Sequence, residues 1–395
     1  MHLRRWFLLC FWAVSSFSVL RAETVLVLPF SNQSNSSNLD WIGESISEAI
    51  HDSLVARGVL ALDRSDRLEA FRRLSLRPNA VLTEASIIKT GEVLDASRVI
   101  YGHYQMTPAA DAASGSLGTL RITARILNLR RFREGPELAE EGPLENLAVL
   151  EARISWQSLQ ALSPKTEPPE DEFLRNRPRV RLNALESYIR GLISADPEQQ
   201  YRFFLQAARI DDTYSQPCFQ LGKSYWAKKD YRSAENWLRR VTISDPHYLE
   251  AQFYLGLCDY HTGDYAAAAK CFELVAATVP LNEVYNDLGA AQARTDANAS
   301  VESFRKALDG DNEDLDYQFN LGCALWRAAQ YSAAASSFRS VLERNQNDDE
   351  AAALLDRVEH HERPRSAEAH ERLKTNYEET AYRELKAELE SKKGQ

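Results

Sequence analysis

Apolar and polar positions over residues 23–162 follow the pattern of a mixed α and β fold. A continuous apolar run over 25–30 is typical of a buried strand. Residues 120–129 alternate between apolar and polar, as in a strand with one buried face. Between these strands, four apolar residues recur on one face of a helix: Ile42, Ile46, Ile50 and Leu54. We therefore predict an α+β domain over 23–162, with a small sheet flanked by helices.

Beyond residue 181 the pattern becomes periodic. A Leu-Gly pair recurs every 33 or 34 residues, with its glycine at Gly222, Gly256, Gly289 and Gly322. A small residue follows each pair, and a phenylalanine or leucine lies four residues later still. Glycine and small residues at these two positions allow paired helices to approach closely. The period therefore predicts an array of stacked helix pairs.

This pattern resembles the tetratricopeptide repeat, a helix pair of about 34 residues. The resemblance implies an all-α solenoid over 182–362, in which the four units with a Leu-Gly pair follow an imperfect earlier unit at about 182–214 and precede a cap helix after residue 348. The third unit is one residue short, and Asn312 and Gln346 replace the proline that usually closes a unit. Residues 363–395 are charged throughout, which predicts a C-terminal helix or tail that is exposed or docks weakly.

A second resemblance concerns the N-terminal domain. Leu-Pro-Phe at 28–30, followed by Asp-Trp-Ile-Gly-Glu at 40–44, resembles the N-terminal domain of TolB-like envelope proteins. Tyr-Gly-His-Tyr at 101–104 and the run at 122–127 fit the same pattern. The resemblance implies a role in assemblies of the bacterial envelope. It brings no shared catalytic residues, so it implies no reaction.

The first 22 residues have the layout of a secretory signal peptide: a short basic start, an apolar run and a final Ala22. The apolar run is short for a membrane span, although Leu20 is large for its place near the cleavage site. We expect residues 1–22 to be removed, which predicts a periplasmic or secreted protein. The alternative is an uncleaved N-terminal anchor.

Residues 163–181 hold four prolines and dense charge of both signs. Proline restricts the chain to extended conformations, so this segment predicts a semi-stiff linker without a helix or strand of its own. We place the boundary between the two folded parts here.

Charge excludes several classes of partner. The 395 residues include 47 basic and 57 acidic side chains, and three of the basic ones lie in the predicted leader. A chain this acidic is unsuited to non-specific nucleic-acid binding. After the leader, no stretch is apolar and long enough to predict an integral membrane span. The repeats also contain four cysteines, for which small apolar packing and disulfides are both open: Cys218, Cys258, Cys271 and Cys323.

The resemblance to tetratricopeptide repeats implies a concave groove lined by the first helix of each pair. The aromatic, cationic and polar residues that it places in this groove suit a peptide or acidic segment, because aromatic anchors give a large contact area. The same aromatic residues could instead pack the array. The predicted partner-binding residues are Phe219, Lys223, Trp226, Phe253, Tyr260, His261, Asn286, Arg294, Phe319, Trp326 and Arg327.

Two motifs resemble catalytic or metal-binding motifs but lack the location or the residues that those functions need. Gly-Lys-Ser at 222–224 lies within a predicted repeat helix, and Pro217 stands where a phosphate loop needs glycine. The acidic run over 309–316 lacks the glycine and final glutamate of a calcium loop, so we interpret it as a solvated loop. We expect no enzymatic activity, cofactor or metal site.

These features predict a non-enzymatic adaptor or scaffold of the bacterial cell envelope, with a protein or peptide partner in the groove. A structural or accessory subunit of a secretion or surface-organelle assembly is the alternative. An enzyme with an unrecognised site would require Asp40, His51 and His103 to converge. The identity of the partner and the oligomeric state stay open.

Overall fold

A computed structural model describes most of the chain. The described residues are 23–34, 36–78, 80–109, 117–163, 168–175, 177, 179–365 and 368–393, with side chains as far as residue 387. The predicted signal peptide, 1–22, lies outside the described residues.

The N-terminal region contains a small sheet, as predicted, and its strand pairing is mixed. Its central strand β3 pairs in parallel with β1 and β2 and antiparallel with β4, where Ile100 lies opposite Ile126. Strand β4 also pairs with β5 and β6. The strands are β1 Val25–Val27, β2 Ser31–Asn32, β3 Arg98–Thr107, β4 Thr119–Asn128, β5 Arg133–Glu134 and β6 Leu138–Pro143.

Helices cover both faces of this sheet. Ile46 and Ile154, from α1 and α4, are buried in one cluster with Ile122 of β4. On the opposite face, Phe71 of α2 is buried with Val99 of β3. A sheet with two apolar faces needs a helical layer on each, which explains this architecture. The helices are α1 Trp41–Ala56, α2 Arg64–Arg73, α3 Glu84–Val93 and α4 Leu147–Leu162.

The predicted linker contains a helix that the sequence analysis did not expect. Helix α5, Glu170–Arg175, follows α4, and its Phe173 is buried in the core. The guanidinium of Arg177 lies 4.6 Å from the centroid of the Phe173 ring. The indole of Trp156 donates a hydrogen bond to the carbonyl of Pro168 (3.0 Å). One apolar anchor in a charged segment therefore fixes this connection onto the fold.

Helix pairs of the predicted length form the second part of the chain. Many of these helices begin at an aspartate whose side chain accepts backbone N–H groups, which satisfies the free donors of the first turn. These caps are Asp196, Asp230, Asp264, Asp296, Asp314 and Asp348. The helices are α6 Leu182–Ile193, α7 Pro197–Ile210, α8 Gln216–Ala227, α9 Tyr231–Leu238, α10 Tyr248–Thr262, α11 Tyr265–Thr278, α12 Asn282–Gln292, α13 Ala297–Gly310, α14 Leu315–Arg327, α15 Tyr331–Arg344 and α16 Asp349–Glu359.

Glycines set the distance between paired helices. A Cβ atom added at Gly256 would lie 2.8 Å from the ring of Phe272, and one at Gly322 would lie 2.9 Å from the ring of Phe338. Contacts this short force the neighbouring ring to move. The recurrent glycine of the sequence pattern is therefore a packing requirement.

The N-terminal region and the helix pairs share one continuous core. Ile50 of α1 is fully buried in the same cluster as Tyr188 and Ile189 of α6. Polar contacts across this joint include the hydrogen bond from the side-chain amide of Gln216 to Asp52 (2.6 Å). The two parts are therefore packed against each other over an apolar contact as well as connected by α5.

The C-terminal segment departs from the expected exposed or weakly docked helix. Helix α17 covers only Glu379–Lys393, and residues 368–378 before it have no regular secondary structure. Within the described ranges, no helix combines the length and apolar character needed to cross a bilayer.

Candidate functional site

The first helices of three successive pairs contact the chain's own C-terminal segment. We call the face formed by α10, α12 and α14 the groove, and residues 368–378 the tail segment. Leu373 of the tail segment packs against two apolar clusters, one formed by α10 to α12 and the other by α12 to α16. Farther along, the ring of Tyr377 lies 5.4 Å from that of Phe253. The groove therefore holds a stretch of polypeptide without regular secondary structure.

Two buried asparagines hold the main chain of the tail segment. The side-chain amides of Asn286 and Asn320 both donate to the carbonyl oxygen of Arg372, at 2.9 and 2.8 Å. The backbone N–H of Arg372 donates to the side-chain oxygen of Asn320 (2.8 Å). An asparagine carries both a donor and an acceptor, so Asn320 satisfies both backbone groups of one residue. These contacts recognise extended backbone independently of the side chain that it carries.

A pair of arginines holds a carboxylate. The side chain of Glu371 is completely buried, 2.6 Å from Nη2 of Arg294 and 3.2 Å from Nε of Arg327. Both arginines also donate to the carbonyl oxygen of Glu368. Charge-assisted hydrogen bonds of this kind are stronger than neutral ones. A buried carboxylate is costly unless it is paired, and this one is paired twice.

Acidic residues hold the cations that follow. The guanidinium of Arg372 lies 3.6 Å from the centroid of the Phe319 ring and makes two contacts of 2.9 Å with the carboxylate of Asp348. Nζ of Lys374 lies 2.9 Å from Asp314 and 2.8 Å from Asp316. The groove is therefore positive beside Glu371 and negative beside both Arg372 and Lys374.

The acidic run over 309–316 is therefore more than the solvated loop that the sequence analysis expected. Asp314 caps α14, and both Asp314 and Asp316 bind Lys374. The earlier interpretation was wrong for these two residues because their partner lies about 60 positions along the chain.

The helix spacing can be compared with known proteins. Residues 219–283 match the family model of the tetratricopeptide repeat. This part of the chain is similar to the tetratricopeptide repeat. The other described helix pairs continue the same spacing on both sides, and we refer to the whole as the TPR array. The TPR architecture predicted for this part of the chain is confirmed.

Solved structures similar to the chain include three that cover parts of it. MamA (residues 41 to the end) from Desulfovibrio magneticus is 26% identical over 40% of this chain and 92% of its own, with a TM-score of 0.37. YrrB, titled a TPR protein with an unusual peptide-binding site, is 14% identical over 44% and 92%, with a TM-score of 0.41. The C-terminal domain of LpoB from Salmonella enterica is 15% identical over 32% and 86%, with a TM-score of 0.24. No curated protein matches the chain.

The predicted groove residues fall into two groups in the TPR array. The first group contacts the tail segment directly: Phe253, Asn286, Arg294, Phe319, Trp326 and Arg327. Trp326 lies beside His370, with ring centroids 6.4 Å apart, and its indole donates to the carbonyl of Glu362 (2.7 Å). Tyr260 is partly buried against the same two apolar clusters as Leu373. Burial, followed by the nearby charge of Glu371, raises the pKa of its hydroxyl to about 12.

The second group lies towards the N-terminal end of the TPR array. Nζ of Lys223 forms an ion pair of 2.8 Å with Glu250. Phe219 stacks on His247, and His261 stacks on Tyr231, with ring centroids 4.6 and 4.4 Å apart. Trp226 packs in turn against Tyr231, Tyr254 and His261. These residues form an aromatic layer that is continuous with the groove.

Sequence reasoning missed several residues that bind the tail segment. Asp287 accepts the backbone N–H of Lys374 (2.8 Å), and Asn320 and Asp348 hold Arg372. Asp287 and Asn320 are fully buried, in α12 and α14. A buried polar residue needs a hydrogen-bond partner. Polar residues at predicted buried positions of the repeats were therefore the sequence feature that could have indicated these contacts.

A cavity of about 390 Å³ lies between the N-terminal region and the TPR array. Glu48 and Glu151 line it, and burial raises their pKa values to about 7 and about 8. The residues required for an unrecognised enzyme do not gather here: neither Asp40, His51 nor His103 lines this cavity. The imidazole of His51 lies between the carboxylates of Asp52 and Asp63, 3.4 Å from each.

Proposed function

We propose that the chain is a non-enzymatic scaffold whose groove binds an extended segment of a protein partner. The observation that supports this most directly is the pair of asparagines, Asn286 and Asn320, which hold the backbone of Arg372 in the groove. Contacts to backbone groups suit any extended peptide of compatible side chains. The aromatic layer around Trp226 extends the surface on which such a peptide could lie.

We further propose that this scaffold works in the bacterial cell envelope. Two features of the sequence support the location: the signal-peptide layout of residues 1–22 and the resemblance of residues 23–162 to TolB-like domains. Cell fractionation with an antibody against the native protein tests it. Recovery with the cytosolic markers would refute the location and leave the binding function unaffected.

Peptide binding can be measured with a fluorescent peptide that has the sequence of residues 365–378. Because the tail segment occupies the groove, the test uses a chain carrying Glu371→Gln and Lys374→Gln, which we call the open-tail variant. We expect saturable binding by fluorescence anisotropy, and none for a scrambled peptide. Adding Asn320→Ala removes two hydrogen bonds to the peptide backbone, each worth about 1 kcal/mol, so affinity should fall at least tenfold.

The matched control is Asn298→Ala, because Asn298 is exposed on α13. It should leave the affinity of the open-tail variant unchanged. Equal binding of the native-sequence and scrambled peptides, or equal loss in the Asn298 and Asn320 variants, would contradict peptide recognition by the groove.

A further inference from the structure

The tail segment and the groove are complementary in charge. We propose that the tail segment is an internal competitor, and that the partner segment which replaces it carries a carboxylate in the place of Glu371 and a cation three residues later, in the place of Lys374. This inference rests on the proposed function of the groove. It goes further in naming the chemistry of the partner and the contact that controls access.

The demand for a carboxylate follows from the two arginines. The side chains of Arg294 and Arg327 are only 8% and 11% exposed, and Glu371 lies between them. Two buried cations of like charge are destabilised unless an anion compensates them. A partner segment with a neutral or basic residue at this position would leave both guanidinium groups without their shared carboxylate.

The partner segment needs a cation because of the two aspartates that contact Lys374. Asp314 and Asp316 both face the ammonium group of Lys374. An acidic residue in that place would set three carboxylates against one another. The arginine pair holds the carboxylate of Glu371 and the aspartate pair holds the ammonium group of Lys374, so these two pairs set the separation of the two charges along the segment.

Direction is fixed as well. Between the two charges, Asn320 accepts the N–H and donates to the carbonyl of Arg372, while Asp287 accepts the N–H of Lys374. A segment that ran the opposite way would exchange the positions of its carboxylate and cation. The groove therefore selects one polarity of the chain.

The contacts are of a kind that a competitor can replace. Leu373 and Tyr377 are only partly buried, and Arg372 and Lys374 are 25% and 24% exposed. The hydrogen bonds that hold the tail segment come from side chains of the array, so it is not part of any helix or sheet. Segments held in this way open at a lower free-energy cost than a packed core.

The test compares the native full-length chain with the open-tail variant, using the fluorescent peptide of residues 365–378. A matched control carries Glu384→Gln and Lys386→Gln, the same change of charge at exposed positions of α17. We expect the open-tail variant to bind the peptide at least tenfold more tightly than the native chain, and the control to behave as native. A tether supplies an effective concentration in the millimolar range, which is why the native chain should bind weakly.

A peptide with its two charges exchanged, Glu371→Lys and Lys374→Glu, should not bind the open-tail variant. Equal affinity of the exchanged and original peptides would overturn the proposed charge selection. Equal affinity of the native and open-tail chains would overturn internal competition while leaving peptide binding intact. No binding by any chain would refute the proposed function itself.

Light scattering across a range of protein concentrations adds an independent check. Competition within one chain requires the tail segment to occupy its own groove. A dimer that dissociates in the open-tail variant but persists in the control would show exchange of tails between copies, and would overturn the internal arrangement.

Discussion

Glu151 makes the stability of the chain depend on pH in a direction that can be measured. Its side chain lies in α4, beside the cavity between the N-terminal region and the TPR array. Among the described residues, its Oε1 atom makes no hydrogen bond. Burial raises the pKa of this carboxyl from 4.5 to about 8, because the charged form loses its hydration.

The raised pKa sets the direction in which the free energy of unfolding changes with pH. The folded state favours the protonated, neutral form, so its contribution to stability is complete below about pH 4.5 and is lost as the pH rises through about 8. Each unit of pKa difference corresponds to about 1.4 kcal/mol. The free energy of unfolding should therefore fall by a few kcal/mol, and at most about 5 kcal/mol, over that range.

The perturbation that isolates this group is Glu151→Gln, since glutamine resembles the neutral acid in shape. Urea unfolding followed by circular dichroism should give nearly equal stabilities for native and variant at pH 5. At pH 9 the variant should be more stable by a few kcal/mol. The control, Glu273→Gln on the exposed face of α11, should follow the native chain at both values. An equal difference in the free energy of unfolding between the native chain and Glu151→Gln at pH 5 and at pH 9 would refute this explanation.

Three further outcomes test packing, charge and thiol chemistry. Gly256→Ala should destabilise the chain by about 1–2 kcal/mol in urea unfolding, because its methyl group meets the ring of Phe272, whereas Gly135→Ala, with ordinary contacts, should be near neutral. Arg67→Met should cost up to about 3 kcal/mol because it removes the buried one of the two arginines that pair with Glu44 and leaves only Arg64, and adding Glu44→Gln should recover part of that loss; a double-mutant cycle measures the coupling. Burial raises the pKa of the four thiols in the helical array, those of Cys218, Cys258, Cys271 and Cys323. They should therefore react slowly with a thiol reagent at pH 8 until the chain is unfolded. Rapid labelling of the folded protein would contradict this.

The parts of the fold that could be predicted from sequence are those with a local signal. Gly256 and Gly322 mark helix crossings because a side chain at either place would overlap a neighbouring ring. The alternation of apolar and polar residues over β4 likewise indicated which of its side chains are buried. Helix α5 was not predicted, because Phe173 lies in a charged, proline-rich segment and its burial depends on the distant α1 and α6.

The resemblance to tetratricopeptide repeats indicates which helices line the groove, but nothing in the sequence indicates that residues 368–378 contact it. Residues 368–378 have the spaced charges of an exposed helix, and helical propensity is readily overridden by tertiary contacts. Their partners lie tens of residues earlier in the chain, among them Asp287 and Asn320. No periodic pattern links such distant polar residues, so the ion pairs that define the site appear only in three dimensions.

The tail segment also crosses three successive structural units: it contacts Asp287 in α12, Asp316 in α14, and Asp348 at the start of α16. Repeats in a solenoid otherwise touch only their neighbours and fray from free ends. The N-terminal region covers one end of this array, so fraying is confined to the other, where the tail segment acts as a clasp across the last units. Release of the tail and loosening of those units should therefore be one event, visible as a joint rise in amide exchange over α12 to α16.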